Sequence, residues 1–246
     1  MKILVCISKA PDTTSKIAFT QNNTTFDENG VQFIVNPYDE WYALVRGLEL
    51  KEAQGGNVTV LSVGGADYEQ IIRKALAIGA DDAVRIDAPE TDALSVAKHI
   101  AAYAKDKGFD LILCGKETIN YNGSVVPGMI AELLDLPFVA MASKLDVAGT
   151  TVTCEREIAT GVEVLETSLP VVISSAKGMA EQRIPNMRGI MAARTKALEV
   201  ITPGAETATT AVNNYELPAA KAACKFIDPE NAGELITLLN QEAKVI

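Results

Sequence analysis

The sequence predicts an α/β fold: a doubly wound, mostly parallel sheet with a strand-rich extension and a C-terminal helical arm. Two observations predict it. Short runs rich in Val, Ile and Leu alternate with amphipathic stretches of helical spacing, and most of the strand runs end on glycine or another turn residue. The chain is also 48% apolar but only 5% aromatic, a balance that suits a parallel sheet covered by helices. Alternating strands and helices require crossover connections, which are right-handed and place helices on both faces of the sheet.

Ile3 to Ser8 is an apolar run closed by Ala10-Pro11-Asp12, as expected of a central strand. Polar residues from Thr20 to Gly30 predict a loop or irregular hairpin. Asn36-Pro37 opens a helix reaching Gln54: Asn36 suits the cap, Pro37 the first turn, and Asp39 and Glu40 complement the positive end. Gly55-Gly56 stops it. A strand follows over Asn57 to Val63, then Gly64-Gly65, then a helix over Asp67 to Ile78 with Ile71, Ile72, Ala75 and Leu76 on one face and Gly79 at its stop. Ala83 to Ile86 reads as a strand, Ala93 to Lys105 as a helix, Asp110 to Cys114 as a strand and Ser124 to Leu134 as a helix.

The pattern changes after Leu136-Pro137. Ala142 to Ser175 reads as several short strands, close to a meander that extends or flanks the sheet. Residues 1–200 thus form one α/β domain, and 201–246 a linker and arm marked by Pro203-Gly204. The arm carries an amphipathic helix, Glu230 to Gln241, with Leu235, Ile236, Leu238 and Leu239. Docking of that helix outside its own domain and packing back on its own core both fit the pattern.

Composition excludes several kinds of chemistry. No apolar run is long enough to span a bilayer. The opening MKILVCISKAPD lacks the long apolar core of a signal peptide and reads as a first strand. Cys6, Cys114, Cys154 and Cys224 are scattered, without the close spacing of zinc ligands or a redox dithiol, and reduced thiols in a cytoplasmic protein are the simplest reading. A net charge of −10 argues against a nucleic-acid surface. The single histidine, His99, reads as a helix-surface residue, and with no second imidazole, Ser-His-Asp hydrolysis and multi-histidine metal sites are ruled out. Any chemistry here belongs to a cofactor, not to the chain as an enzyme.

In open α/β sheets, ligands bind beyond the carboxyl ends of the strands, where helix N-termini aim free amides into a crevice. Four segments meet that condition and should line one pocket: Cys6 to Asp12, Asn36 to Asp39, Val63 to Gly65 and Gly115 to Val126. None carries the glycine fingerprint of ordinary dinucleotide folds or a P-loop. In GKETINYNGSVVPGM a strand ends in Gly115, and a helix begins near Ser124, whose hydroxyl and following amides could hold a phosphate. A plain turn capped by Asn122 or Ser124 would look the same locally. A second segment, EQRIPNMRGIMAAR, mixes basic residues with Met187, Ile190 and Met191; a partner-recognition loop and a core-edge turn both fit it.

Across almost the whole chain these segments resemble the beta subunit of electron transfer flavoproteins. ILVCISKAPDT resembles that family's first strand and loop, and VNPYDEWYAL its N-P-[YF]-D/C-x-x-A-L helix start. VTVLSVGGADYEQIIRKALAIGADDAVRI follows the family's strand, glycine turn, helix and G-A-D order. LILCGKETIN is similar to L-I-x-x-G-K-Q-x-I-D, and PGMIAELLDLP to G-x-x-x-A-x-x-L-x-x-P. CEREIATGVEVLETSLPVVIS followed by RIPNMRGIMAAR resembles the family signature.

The resemblance implies an adenine nucleotide-binding fold within an alpha-beta heterodimer, with FAD held chiefly by the alpha subunit and AMP, or a second FAD, by this one. By motif position, Cys6, Asn36, Tyr38, Asp39 and Val63 would surround the adenosine, and Gly115, Ser124, Val125 and Val126 would hold the phosphate, with Asn122 beside them. Thr13 and Tyr38 would approach the partner's flavin. The arm would dock on the alpha subunit. Arg183 to Met191 would dock acyl-CoA or related dehydrogenases, with Met187 as apolar anchor and Ile190 and Met191 beside it, and Glu163 would contact the mobile flavin domain. Electrons would pass on to a quinone oxidoreductase. The sequence departs from the family at Asn120 and Asn122, where acidic residues are common, at Val126, at the order Pro127-Gly128 and at Thr160, and its basic cluster after Met191 is reduced to Arg194 and Lys196. A free-standing ATP- or AMP-binding regulator of the universal stress type shares the alternating architecture; the arm and the recognition-like segment favour the flavoprotein subunit.

Overall fold

The computed structural model describes residues 1–37, 39–119, 121–204 and 208–246. Its frame is a nine-stranded sheet. The parallel part comprises β1 (Lys2–Cys6), β6 (Asn57–Val63), β7 (Asp82–Ile86), β8 (Leu111–Gly115), β12 (Val171–Ser175) and β13 (Leu198–Ile201), with β9 (Phe138–Ala148) parallel to β12. β10 (Thr151–Ile158) and β11 (Gly161–Ser168) extend it antiparallel, giving the order β11-β10-β9-β12-β8-β1-β6-β7-β13. Two short antiparallel pairs precede the first helix: β2 (Lys9–Pro11) with β5 (Phe33–Val35), and β3 (Phe19–Thr20) with β4 (Thr25–Phe26).

Helices cover both faces. α1 (Asp39–Gln54) and α2 (Glu69–Ile78) bury Leu44, Leu48, Ile71, Ile72 and Leu76 against one side of the sheet. α3 (Ala93–Ala104) and α4 (Val126–Leu134) bury Ala97, Ile100, Ile130 and Ala131 against the other. Strand β8 has no exposed residue, because layers lie on both its faces; each such Leu or Ile contributes about 1.5–3 kcal/mol through burial. Gly79 ends α2 with φ of 148°, a left-handed conformation that a side chain resists.

The expected alternation of strands and helices over Ile3 to Leu134 is present, with boundaries shifted by a few residues. Three expectations need correction. The stretch expected as a meander of short strands contains long hairpins, and β12 inserts between β9 and β8. Its sequence VVISS is buried at all five positions, so it requires an interior site with cover on both faces. Leu198–Ile201, beside the expected linker, adds a parallel edge strand to β7. His99 lies on α3 as expected, but it is buried rather than on the surface.

The segment after Lys177 forms α5 (Met187–Ala193), whose Asn186 side chain caps the helix by accepting from the Gly189 amide at 2.8 Å. Arg73 of α2 secures its end by donating to the Ala193 carbonyl at 2.7 Å. The arm ends in α6 (Ala232–Gln241), which has no buried residue. Among the described residues, no helix is long and apolar enough to cross a membrane.

Candidate functional site

Sheet order fixes where a ligand can enter. From β1 the chain moves outward through β6 to β7, then returns to place β8 on the opposite side of β1. The connections after β1 and β8 therefore diverge, leaving a crevice at the carboxyl rim. A cleft of about 320 Å³ lies there, within the size range of small-molecule sites.

Its floor is made by the strand ends. Cys6, the last residue of β1, and Cys114, the last but one of β8, both line the cleft, with Leu61 and Val63 of β6 beside them. The Cys6 thiol is held well above its usual pKa, first by its hydrogen bond with Cys114 and then by burial. The two cysteines are far apart in the sequence, and the fold makes them neighbours; with its pKa raised, Cys6 stays a thiol and contributes to an apolar floor rather than a nucleophile. All four cysteines are free, and no group of three or more metal-ligating side chains occurs among the described residues.

Gly115 ends β8 where α1 begins. A Cβ there would stand 2.7 Å from Glu40 Cγ and 3.0 Å from the Glu40 amide, so only glycine permits this approach. Glu40 reaches the cleft and accepts from the Ser8 amide at 2.6 Å and the Ser8 hydroxyl at 2.7 Å. Burial pushes its carboxyl up to about 8, more than the Ser8 bonds lower it, so Glu40 is mostly protonated at neutral pH. Asp39 is buried as well and is raised to about 6, mainly by desolvation, but it does not line the cleft.

A second wall is the loop after β8, where the sequence leads us to expect a phosphate contact. Asn36, fully buried, grips it from behind: its Nδ2 donates to the Glu117 carbonyl at 2.8 Å, and its Oδ1 accepts from the Ile119 amide at 3.0 Å. Asn36 therefore shapes the cleft without lining it. Ser124, Val125 and Val126 line the cleft at the start of α4, where Val125 stands at the cap position and no side chain caps the helix. The capped-turn alternative is thus not realised. Ser124 instead donates to Glu117 Oε2 at 3.2 Å, and the positive end of α4 faces the cavity with Lys116 nearby. Asn122 holds a left-handed φ of 49° and donates from its amide to the Thr118 carbonyl, outside the lining.

Of the four segments expected at one pocket, the structure brings the first, third and fourth to the cleft through Cys6 to Ser8, Val63, and Gly115 to Val126. The second reaches it through Glu40, one residue beyond the expected span. Tyr38 lies outside the described residues, as does Asn120. Thr13 belongs to a neighbouring cleft of about 640 Å³ walled by Phe19, Phe26, Phe33 and Tyr215, which meets the first at Glu90 and Tyr121. Glu90 accepts from the Tyr68 hydroxyl, and burial holds its carboxyl above the usual range.

Sequence reasoning missed Glu40, Glu90, Asp92 and the segment Thr210 to Val212 as parts of the cleft. Asp92 had a local signal, since it caps α3 by accepting from the Ser95 amide at 2.7 Å. The 210–212 segment had none.

The expected recognition residues lie elsewhere on the surface. Met187 and Met191 are 73% and 68% exposed and Ile190 40%, joined by Ile184 at 82%. Arg183 is engaged rather than free, donating to both carboxylate oxygens of Glu52 at 2.6 and 3.0 Å. Glu163 on β11 pairs with Arg156 on β10.

The family profile described as an electron transfer flavoprotein domain matches residues 23–206. The chain is 36% identical to the electron transfer flavoprotein subunit beta of Bacillus subtilis (strain 168), with the whole of both chains aligned. It is 35% identical to the subunit of the same name from Syntrophomonas wolfei, over 94% of this chain and 91% of that one. For the Megasphaera elsdenii subunit beta the identity is 33%, over 96% and 91%.

Proposed function

The chain belongs to the electron transfer flavoprotein family, and from that premise we propose that it is a beta-type subunit that pairs with an alpha subunit and binds an adenine nucleotide, AMP or a second FAD. The observation that carries the reading is the rim cleft, an apolar floor facing the uncapped start of α4. The parts fit an adenylate. A planar base suits the floor of Cys6, Cys114, Leu61 and Val63, and a phosphate suits the amides at Ser124 to Val126 with Lys116 beside them.

FAD, when bound mainly by the alpha subunit, supplies the one- and two-electron chemistry. This chain's residues make no bond in that scheme. They hold the nucleotide, exclude water from one side and present Ile184, Met187 and Met191 to a dehydrogenase. Electrons from acyl-CoA or related dehydrogenases would then pass to a quinone oxidoreductase in the cytoplasm. Full-length likeness to beta subunits favours this carrier over a free-standing nucleotide-binding regulator.

The test is to purify the chain with its co-expressed alpha subunit, denature the complex and count the FAD and AMP released. One FAD with one AMP per dimer supports a simple carrier, and two FAD a carrier with two flavins. A chain that stays monomeric and carries no adenylate overturns the reading.

A further inference from the structure

The outer wall of the cleft is not built by the α/β body. Beyond β13, Thr210, Ala211 and Val212 of the arm complete the lining of the cavity. Two anchors hold this segment. On one side the Asp92 Oδ2 accepts from the Thr209 amide at 2.6 Å, the Thr209 hydroxyl at 2.7 Å and the Thr210 amide at 2.9 Å. On the other, the Tyr215 amide donates to the Asn23 carbonyl at 2.7 Å, and its ring stacks on Phe19 at 4.8 Å between centroids and 6° between planes. Between the anchors the strap has no buried residue and contributes little to the core.

Asp92 divides its two oxygens. Oδ1 caps α3, whereas Oδ2 is committed to the strap. Charge-assisted bonds from two consecutive amides to one carboxylate oxygen are a specific attachment, one that a merely passing chain would not need. A wall that is exposed, pinned at two points and unsupported in between can leave without unfolding the body.

We propose that residues 208–215 form a latched strap over the adenylate cleft, with Asp92 as the positioning residue, so that the nucleotide leaves only when the strap lifts. This rests on the cleft being an adenylate site. Linkage then makes the effect reciprocal: a nucleotide that touches the strap holds the arm down as strongly as the arm holds the nucleotide.

The variant Asp92→Ser separates the two duties, because serine is as good a helix cap as aspartate but has no second oxygen to reach the strap. Full-length protein, alone and with its co-expressed alpha subunit, is loaded with ¹⁴C-AMP and chased with unlabelled AMP. Release from D92S should be at least tenfold faster than from the parent, with the melting temperature unchanged within a few degrees. T209V/T210V, which keeps the amides and loses the hydroxyls, should fall between the two; it also serves if D92S does not fold. In parallel, AMP should slow tryptic cleavage at Lys221 and Lys225 in the parent and not in D92S. Equal release rates for parent and both variants would overturn the latch while leaving the adenylate site intact. Failure of the parent to retain any AMP would overturn the site and the latch together.

Discussion

Strand β8 and helix α6 are both rich in leucine and isoleucine, yet β8 exposes none of its residues and α6 buries none. The difference lies in what the rest of the chain offers each. LILCG is apolar throughout and demands cover on two faces, which α1 and α4 supply on either side of the sheet. AGELITLLNQ demands cover on one face only, and it follows a stretch whose described residues are mostly exposed. An apolar pattern tells that a face must be covered, not by what; for α6 the cover would come from another chain.

The sharpest way to break that comparison is to truncate the strand. Leu113 is fully buried, and Leu113→Ala should lower unfolding free energy by about 2–5 kcal/mol in chemical denaturation of the isolated chain. A loss below about 1 kcal/mol would mean that β8 is not the centre of the core.

The body also holds a charge-bearing group that its own burial disfavours. Glu40 has an ordinary value near 4.5 and is raised to about 8, so between those limits the folded chain binds more protons than the unfolded one. Stability from this group is complete below pH 4.5 and is lost as pH rises through about 8. Within that window the slope from one proton is at most about 1.4 kcal/mol per pH unit. Asp39 acts in the same direction over a lower window, ending near 6. Glu40→Gln should therefore flatten the fall in denaturation midpoint between pH 5 and 8 without lowering stability at pH 8. Parallel curves for the two proteins would show that Glu40 is not desolvated.

The same division between body and arm governs how much was legible in the sequence. Strands β1, β6, β7 and β8 and the helices between them could be read because local period and glycine stops agree with the fold they join. The rim followed from that order, since Cys6, Val63 and Gly115 are strand ends. The insertion of β12 could not be read, because VVISS looks the same in a meander as in the middle of a sheet. Glu40 was hidden by a sufficient local explanation, an acidic residue in a first helical turn. Thr210 to Val212 have no periodicity at all; they join the cleft through a contact with Asp92 that spans more than a hundred residues.

Between core and arm lies the segment that holds Met187 and Met191, exposed at its apolar side chains but fastened through Arg183 to Glu52. An exposed pair of this kind is worth about 0.2–1 kcal/mol. Arg183→Ala should cost no more than that by denaturation, yet reduce the rate of electron transfer from a purified acyl-CoA dehydrogenase several-fold if the pair sets the posture of the segment. Unchanged rates would restrict the proposed docking surface to α5 itself.

The smallest effect on stability is expected where the exposed apolar surface is greatest. Leu235 and Ile236 on α6 are 46% and 63% exposed, and neither belongs to the buried core. Replacing both with alanine removes no contact from the core and keeps a good helix former at each position, so the isolated chain should change by no more than about 0.5 kcal/mol. The same double variant, co-expressed with a tagged alpha subunit, should be recovered in complex at a markedly lower yield, because α6 would no longer bring its apolar face to the partner. If instead the isolated chain loses stability as Leu113→Ala does, α6 packs on its own body in solution, and the contrast between strand and arm fails at its weaker end.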